Sequence, residues 1–325
     1  MSRSGLLRAI KDRIGDRLAV INFHRILPTS SAKSAFADDS DIDPGIFEAQ
    51  IVWLKHNLRL LSEDELIAIA DGRPAPKGLS GMITFDDGYI DNYTLAYPIL
   101  RYHDVPAIFF VPTTLINRRE LGWWDQIAYA LKTTQVGEFT LDGECYDTQD
   151  PFTYVLLCRK MKKEMHLEGK DLVGDLRRIL DVDAADTTLQ SRELMTWDQI
   201  QALHPHVAIG SHTETHPILA NQPLDRQRDE LVRSKEILEA ELGRPVRTLA
   251  YPVGGRKHFS PDTQRLAKEA GYKLAFSFYS GINRWSEFTP FDVRRSSVSG
   301  TDAPSLESAT FLPEILAYEM GGYAA

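Results

Sequence analysis

Two short stretches hold residues whose types and spacing suit metal-assisted chemistry. Thr84-Phe85-Asp86-Asp87-Gly88-Tyr89 sets adjacent carboxylates beside a glycine that permits a sharp turn. Like charges this close repel, so a neighbouring cation is expected to compensate them. Ser211-His212-Thr213-Glu214-Thr215-His216 sets two imidazoles four residues apart, on one face if the segment turns helically. Imidazole suits zinc and related divalent metals. Taken singly, each stretch reads as a surface feature: an Asp-Asp-Gly turn, or a loop with two exposed histidines. Taken together they offer two histidines and a carboxylate, a known catalytic metal arrangement that keeps a position open for water. One aspartate would then bind metal while the other moves protons.

Both stretches need elements that bring them together. Each follows an apolar, β-rich run, Gly81–Asp86 in one case and Val207–Ser211 in the other. Further runs of this kind are Leu18–His24, Ala107–Thr113, Thr248–Tyr251, Leu274–Phe278 and Phe291–Val298. Helix signals lie between them. Asp43-Pro44 pairs a cap with a proline at the first helical position. Ser62-Glu63-Asp64-Glu65 is a capping box. A long charged segment, Leu224–Leu242, stops at Gly243, and Ser260-Pro261 opens a helix that Gly271 ends. Seven runs alternating with helices predict a parallel α/β barrel or a doubly wound sheet. In either, catalytic residues gather at the carboxyl ends of the strands. Residues 115–195 interrupt the pattern with mostly helical, polar sequence, read as an insertion between the third and fourth strands, able to cap or wall the site.

The remaining composition narrows the function classes. The formal net charge of −9 argues against non-specific nucleic-acid binding, which needs a basic surface. The two cysteines, Cys145 and Cys158, form neither a metal-type pair nor a disulfide framework. No run is long and apolar enough to span a bilayer. The first residues lack the apolar core of a signal peptide, so the expected location is cytoplasmic. Residues 1–17 are read as an N-terminal helix, with Leu6, Leu7, Ile10 and Ile14 at helical spacing and Arg3, Arg8, Lys11 and Arg13 between them. Packing on the domain is the expected role, and peripheral contact with the inner membrane surface is the alternative. Trp123, Trp124, Trp197 and Trp285 invite a sugar-stacking reading, but core or cap packing is the default for each.

The motif pair resembles the polysaccharide deacetylases, the NodB-homology group of carbohydrate esterase family 4. Thr84-Phe85-Asp86-Asp87-Gly88 and Ser211-His212-Thr213-Glu214-Thr215-His216 look like its first two motifs, and the likeness runs from about Leu18 to Val298 outside much of the insertion. The resemblance implies a distorted (β/α)7 barrel, and a catalytic domain over residues 18–325. By motif position Asp86 becomes the catalytic base, and Asp87, His212 and His216 the ligands of one divalent metal. Zinc is the expected ion, with cobalt, nickel or manganese as alternatives. Ala250-Tyr251-Pro252-Val253-Gly254 resembles a third motif that lines the groove, where a backbone N–H helps hold the oxyanion; Tyr251 is the matched position and Pro252 its neighbour. A plain strand-to-turn junction is the equal alternative. Many members carry an Arg in this segment, and Ala250 stands near that place. Phe291-Asp292-Val293-Arg294-Arg295-Ser296 looks like the late Arg motif of one branch, making Arg295 the candidate cation for Asp86.

A further departure concerns the general acid. Many members supply a His from a late Leu-x-His motif, but no histidine follows His258 here. His24 closes the first strand run, on the same rim as Asp86 and His212. Its segment resembles the early Tyr-His motif of the poly-N-acetylglucosamine deacetylase branch, where an early His takes the acid role. His258, beyond the turn at Gly254-Gly255, is the second candidate. The expected reaction is removal of N-acetyl groups from an N-acetylated oligo- or polysaccharide or its lipid-linked precursor. Alternatives are deacylation of O-acetyl esters or another small amide, and a catalytically silent, metal-bearing sugar-binding module. A module that only binds has no need of the spare carboxylate.

Overall fold

The computed structural model describes residues 15–28, 41–164, 171–183 and 193–297. The expected runs form strands β1 (Arg17–Phe23), β2 (Leu79–Phe85), β3 (Ala107–Val111), β4 (Val207–Ser211), β5 (Thr248–Ala250), β6 (Leu274–Ser277) and β7 (Val293–Ser297). Neighbours in chain order pair in parallel, and β1 pairs with both β2 and β7, which closes the ring. The β1–β2 ladder is long, from Arg17↔Leu79 to Phe23↔Phe85. The β4–β5 ladder is the single pair Ser211↔Leu249, so the closed sheet is a distorted (β/α)7 barrel.

Alternation along each strand divides the apolar side chains between two cores. Leu18, Val20, Met82, Ile108, Phe110, Leu274, Phe276 and Val293 belong to one buried cluster, the filling of the barrel. Ala19, Ile21, Phe23, Ile83, Phe85, Phe109 and Ile209 belong to the other, which packs outward against the helices. A strand covered on both faces reads as a near-continuous hydrophobic run, which is why these segments stand out in the sequence. Gly210 is required by this packing. A Cβ there would lie 2.4 Å from Cδ1 of Phe110, the ring that plugs the barrel interior.

The helix signals act where the sequence places them. Asp43 caps Pro44–Asn57 by accepting from the Gly45 N–H, and Ser62 and Glu65 form the reciprocal capping box of Glu63–Ala70. Leu224–Leu242 ends at Gly243 in a left-handed conformation, φ 63°. Ser260 caps Pro261–Glu269. Between β3 and β4 the insertion contributes helices Trp123–Thr133, Thr153–Glu164 and Leu172–Ile179. It also holds a hairpin, Glu138–Leu141 with Glu144–Asp147, that the helical reading of 115–195 does not include. These pieces share a small core of their own, with Ile127, Leu157, Met161 and Leu176 buried together. Of the expected N-terminal helix over residues 1–17, Gly15 and Asp16 are not helical and Arg17 already belongs to β1; residues 1–14 lie outside the described residues. No described helix is long and apolar enough to cross a membrane.

Candidate active site

Inward positions at the carboxyl ends of four strands are polar: Asn22 on β1, Asp86 after β2, His212 after β4 and Arg295 on β7. They continue the same alternation that lower down supplies Leu18, Val20, Met82 and Val293. Asp86 is nearly fully buried. Its Oδ1 accepts from Arg295 Nη1 at 2.7 Å, and its Oδ2 accepts from Asn22 Nδ2 at 3.1 Å. Burial pushes the Asp86 carboxyl up, but the Arg295 guanidinium, then His212 and His24, outweigh it and hold the group well below the usual carboxylate range. Arg295 is itself pinned, donating from Nη1 to Asn22 Oδ1 at 2.7 Å and from Nε to the Ser277 carbonyl at 3.1 Å. The Ala250 side chain lies in the barrel filling, so the guanidinium at Asp86 arrives from β7 instead of β5.

Asp87 stands one residue beyond and faces the same centre. Asp87 and Gly88 both take φ 74°, in the left-handed region, and this consecutive pair turns the chain sharply at the end of β2. As a result Asp87 Oδ1 lies 3.6 Å from His212 Nε2, while Asp86 Oδ2 lies 3.9 Å from the same nitrogen. The histidine segment is a loop and not the helical turn its spacing suggests. Thr213 and His216 take φ 66° and 59°. Ser211 Oγ accepts from the Thr213 N–H and Thr213 Oγ1 from the His216 N–H, each at 3.1 Å. From the helix Leu224–Leu242, Glu230 accepts the Glu214 N–H at 3.0 Å and the Thr215 N–H at 2.7 Å. This clamp brings His216 Nε2 to 3.2 Å from His212 Nε2 and 3.6 Å from Asp87 Oδ1.

The donor set fits a divalent metal. Three ligand atoms, from Asp87, His212 and His216, lie within 4.8 Å of one another, and all three residues are buried. Tetrahedral ligands at about 2.0–2.2 Å from zinc stand roughly 3.3–3.6 Å apart, close to the edges of this triangle. His212 Nδ1 donates to the Ala250 carbonyl at 2.8 Å, which leaves its Nε2 lone pair turned inward. Burial pushes the His212 imidazole down to about 4 although Asp86 pulls it up, and burial with His212 beside it holds His216 well below its ordinary value. Both rings are therefore neutral near pH 7, the form that binds metal.

A cavity of about 590 Å³ opens over this centre. The barrel lines it with Asn22, His24, Asp86, Asp87, His212, His216, Val253 and Arg295, and the insertion with Trp123, Trp124, Asp125, Tyr154, Cys158, Arg159 and Lys162. The insertion is thus a wall of the site. Trp124, expected as packing, tilts against His216 with ring centroids 4.5 Å apart and donates from Nε1 to the Tyr89 hydroxyl at 2.7 Å. Tyr89 in turn donates to Asp125 at 2.9 Å and carries the Arg25 guanidinium 4.4 Å above its ring. Arg25 pairs with Asp91 at 3.1 Å and with Glu193. Trp197 and Trp285 do not line the cavity; Trp197 opens a short helix and donates to Asn117 at 3.0 Å.

The third segment needs correction. Tyr251 lines the cavity, but its N–H is given to the Phe276 carbonyl at 3.0 Å, within the β5–β6 ladder. Its hydroxyl donates to the Phe291 carbonyl at 3.0 Å, and its ring stacks on Phe259 at 4.4 Å. An N–H already spent on the sheet is not aimed at an oxyanion. Pro252 does not line the cavity, whereas Val253 beyond it does, in a left-handed conformation of φ 60°. Of the two candidate acids, His24 lines the cavity with its side chain 30% exposed, and its Nε2 lies 3.9 Å from Asp86 Oδ2. His258 does not line it; its Nδ1 accepts from the Gly255 N–H at 2.9 Å and closes its own turn.

Sequence reasoning missed Asn22, whose signal is legible: a lone amide at an inward position of an otherwise apolar strand. It also missed the Trp124–Tyr89–Asp125 chain, in which neighbouring Trp124 and Asp125 both bond the distant Tyr89, leaving no local pattern.

A closed parallel barrel that gathers a buried Asp-His-His triad and a second, ionised aspartate at its carboxyl rim defines an α/β-barrel protein with a candidate metal-hydrolase centre. The comparisons narrow the class. The family model described as polysaccharide deacetylase matches residues 74–275. The chain belongs to the polysaccharide deacetylase family. It is 22% identical over 275 residues to the Bacillus subtilis (strain 168) protein named "Putative polysaccharide deacetylase YxkH", covering 84% of this chain and 68% of that one. In fold it is similar to Streptococcus pyogenes deacetylase PplD in complex with acetate, at TM-score 0.60 and 20% identity, over 90% of this chain and 98% of that chain. It is also similar to IcaB from Ammonifex degensii, at TM-score 0.59 and 20% identity, over 90% and 96%.

Proposed function

We propose that this protein is a metal-dependent hydrolase that removes N-acetyl groups from the amino sugars of a polysaccharide or its precursor. The observation that carries the reading is the 3.2–3.6 Å triangle of His212, His216 and Asp87, with a separate carboxylate, Asp86, alongside. A divalent metal, zinc in this reading, supplies polarisation of the acetamide carbonyl and acidification of a water molecule. Asp86 is the base that takes the proton of the attacking water. Arg295 keeps it ionised in a buried place, and Asn22 fixes its second oxygen. His24 stands on the same rim, where its imidazole can give a proton to the leaving amine nitrogen. Imidazole is the side chain suited to holding and releasing a proton near neutrality. Trp124 packs against His216 and walls the centre on that side.

The test is acetate release from N-acetylglucosamine oligomers and, in parallel, from acetylated xylan, before and after chelation and zinc restoration. Release from the amide substrate that disappears with chelator and returns with metal is expected. His24→Ala should keep its metal and lose release, with His258→Ala much milder. Release from xylan alone would replace the amide reading with an esterase one. Normal turnover by His24→Ala would move the acid role elsewhere.

A further inference from the structure

The cavity is larger than an acetamide requires, and one of its walls carries charge that the proposed chemistry does not use. On the insertion helix Thr153–Glu164, the cavity-lining residues include Val155, Cys158, Arg159 and Lys162. Their spacing of i, i+3, i+4 and i+7 is a single helical face. Leu157 and Met161 are buried in the insertion's own core and hold that face toward the site. Two cations three residues apart on one face repel each other. Among the described residues neither Arg159 nor Lys162 has a salt bridge, although Lys160 on the same helix pairs with Asp142 at 3.3 Å and Glu164 at 3.0 Å. The other lining guanidiniums are committed, Arg25 to Asp91 and Arg295 to Asp86. The lining carboxylates are equally engaged: Asp86 with Arg295, Asp125 with Tyr89, and Asp87 with the two histidines. Lys162 faces the loop after β5, where its charge adds to burial in holding His258 below the ordinary imidazole value. The two cations on the insertion and Val253 of that loop on the barrel line the same cavity.

We propose, building on the de-N-acetylase reading, that Arg159 and Lys162 form an anion subsite, and that the preferred substrate carries a carboxylate or phosphate close to its acetamido group. The planar guanidinium matches a group with two or three equivalent oxygens, and the ammonium adds a mobile point charge. The chain carries a net charge of −9, so an anionic polymer is repelled at long range and needs such local cations to dock.

The experiment compares three matched N-acetylglucosamine substrates at low ionic strength: a neutral oligomer, one with a neighbouring uronic acid, and one with a neighbouring phosphate. Turnover is measured for wild type, for Arg159→Gln/Lys162→Gln, and for Lys163→Gln, whose exposed side chain does not line the cavity. Wild type should favour one anionic substrate by roughly tenfold in kcat/KM, mostly through KM, with the advantage shrinking as salt rises. Whichever anionic arm gains identifies carboxylate or phosphate. The double variant should lose the advantage and Lys163→Gln should keep it. Binding of the same three sugars, read by quenching of tryptophan fluorescence at the Trp123–Trp124 wall, is followed in parallel. If no sugar is deacetylated but the anionic ones still bind more tightly through Arg159 and Lys162, the enzymatic reading fails and the subsite stands. Equal kcat/KM and equal binding for neutral and anionic sugars, or an advantage that survives in the double variant, would overturn the subsite.

Discussion

Asp86 and Asp87 are adjacent in sequence and identical in type, yet their surroundings differ, and the proposed function gives them different tasks. Asp86 is held by Arg295 and Asn22, and Asp87 by the two imidazoles. Asp86→Asn should therefore keep the metal and lose turnover by ~10²–10⁴-fold, the usual contribution of a general base. Asp87→Asn should lose metal first and activity with it. Metal titration beside acetate release separates the two, and the reverse pattern would exchange the roles. Arg295 makes a second prediction at this scale. Asp86 must be ionised to accept a proton, and the guanidinium is the strongest influence lowering its pKa. In Arg295→Gln burial acts on Asp86 without that opposing charge, so the carboxyl titrates at higher pH than in wild type. The acidic limb of kcat/KM should shift to higher pH, while activity well above the new pKa is recovered in part. An acid limb that does not move would detach Arg295 from the base.

At the scale of elements, the histidine loop depends on a helix that contributes nothing to the cavity lining. Glu230 is buried and takes the Glu214 and Thr215 N–H groups and the Thr215 hydroxyl, with Arg226 at 2.8 Å balancing its charge. The loop it clamps contains left-handed Thr213 and His216, conformations that persist only when their surroundings impose them. Glu230→Ala removes this clamp and leaves two N–H donors without their acceptor. Hydrogen bonds to a charged group contribute about 1.5–3 kcal/mol each, so a loss of roughly that size is expected in chemical denaturation. The more specific expectation, under the proposed function, is a weakened affinity for a divalent metal, measured with zinc as the probe by competition with a chromophoric chelator. Unchanged zinc affinity alongside lowered stability would restrict Glu230 to a structural role.

Across the whole molecule, the barrel filling and the polar rim at its carboxyl end are one continuous column of side chains. Phe110 is fully buried, packs on Phe276 with ring centroids 5.2 Å apart, and lies under the Arg295 guanidinium, 5.4 Å from its ring. Phe110→Ala should cost ~3–5 kcal/mol by leaving a cavity. Because it removes the floor beneath Arg295, it should also reduce turnover more than a remote core truncation of equal cost, such as Leu238→Ala on the outer helix, which is buried in the other cluster. Paired denaturation and activity measurements on the two variants test this, and equal activity losses at equal stability would separate floor from rim.

The strand runs were legible because a barrel strand is covered on both faces and so leaves a short, almost unbroken apolar signature. All seven appear in the predicted order, with helix starts at Pro44, Glu63 and Pro261 fixed by local capping chemistry. The Asp-Asp and His-x-x-x-His motifs, with their place at strand ends, were likewise local. What the sequence could not settle depends on contacts between distant segments. Its helical spacing suggested that His212 and His216 share a helix face, but a clamp from Glu230 makes that segment a loop. It offered Tyr251 as a backbone donor, but the β5–β6 ladder already uses that N–H. It left His24 and His258 open, and the barrel rim brings His24 to 3.9 Å from Asp86 while His258 closes a turn of its own. Composition and periodicity fix which residues lie on a strand and at which end. Only barrel closure, which sets β1, β2, β4 and β7 around one axis, decides which of them meet.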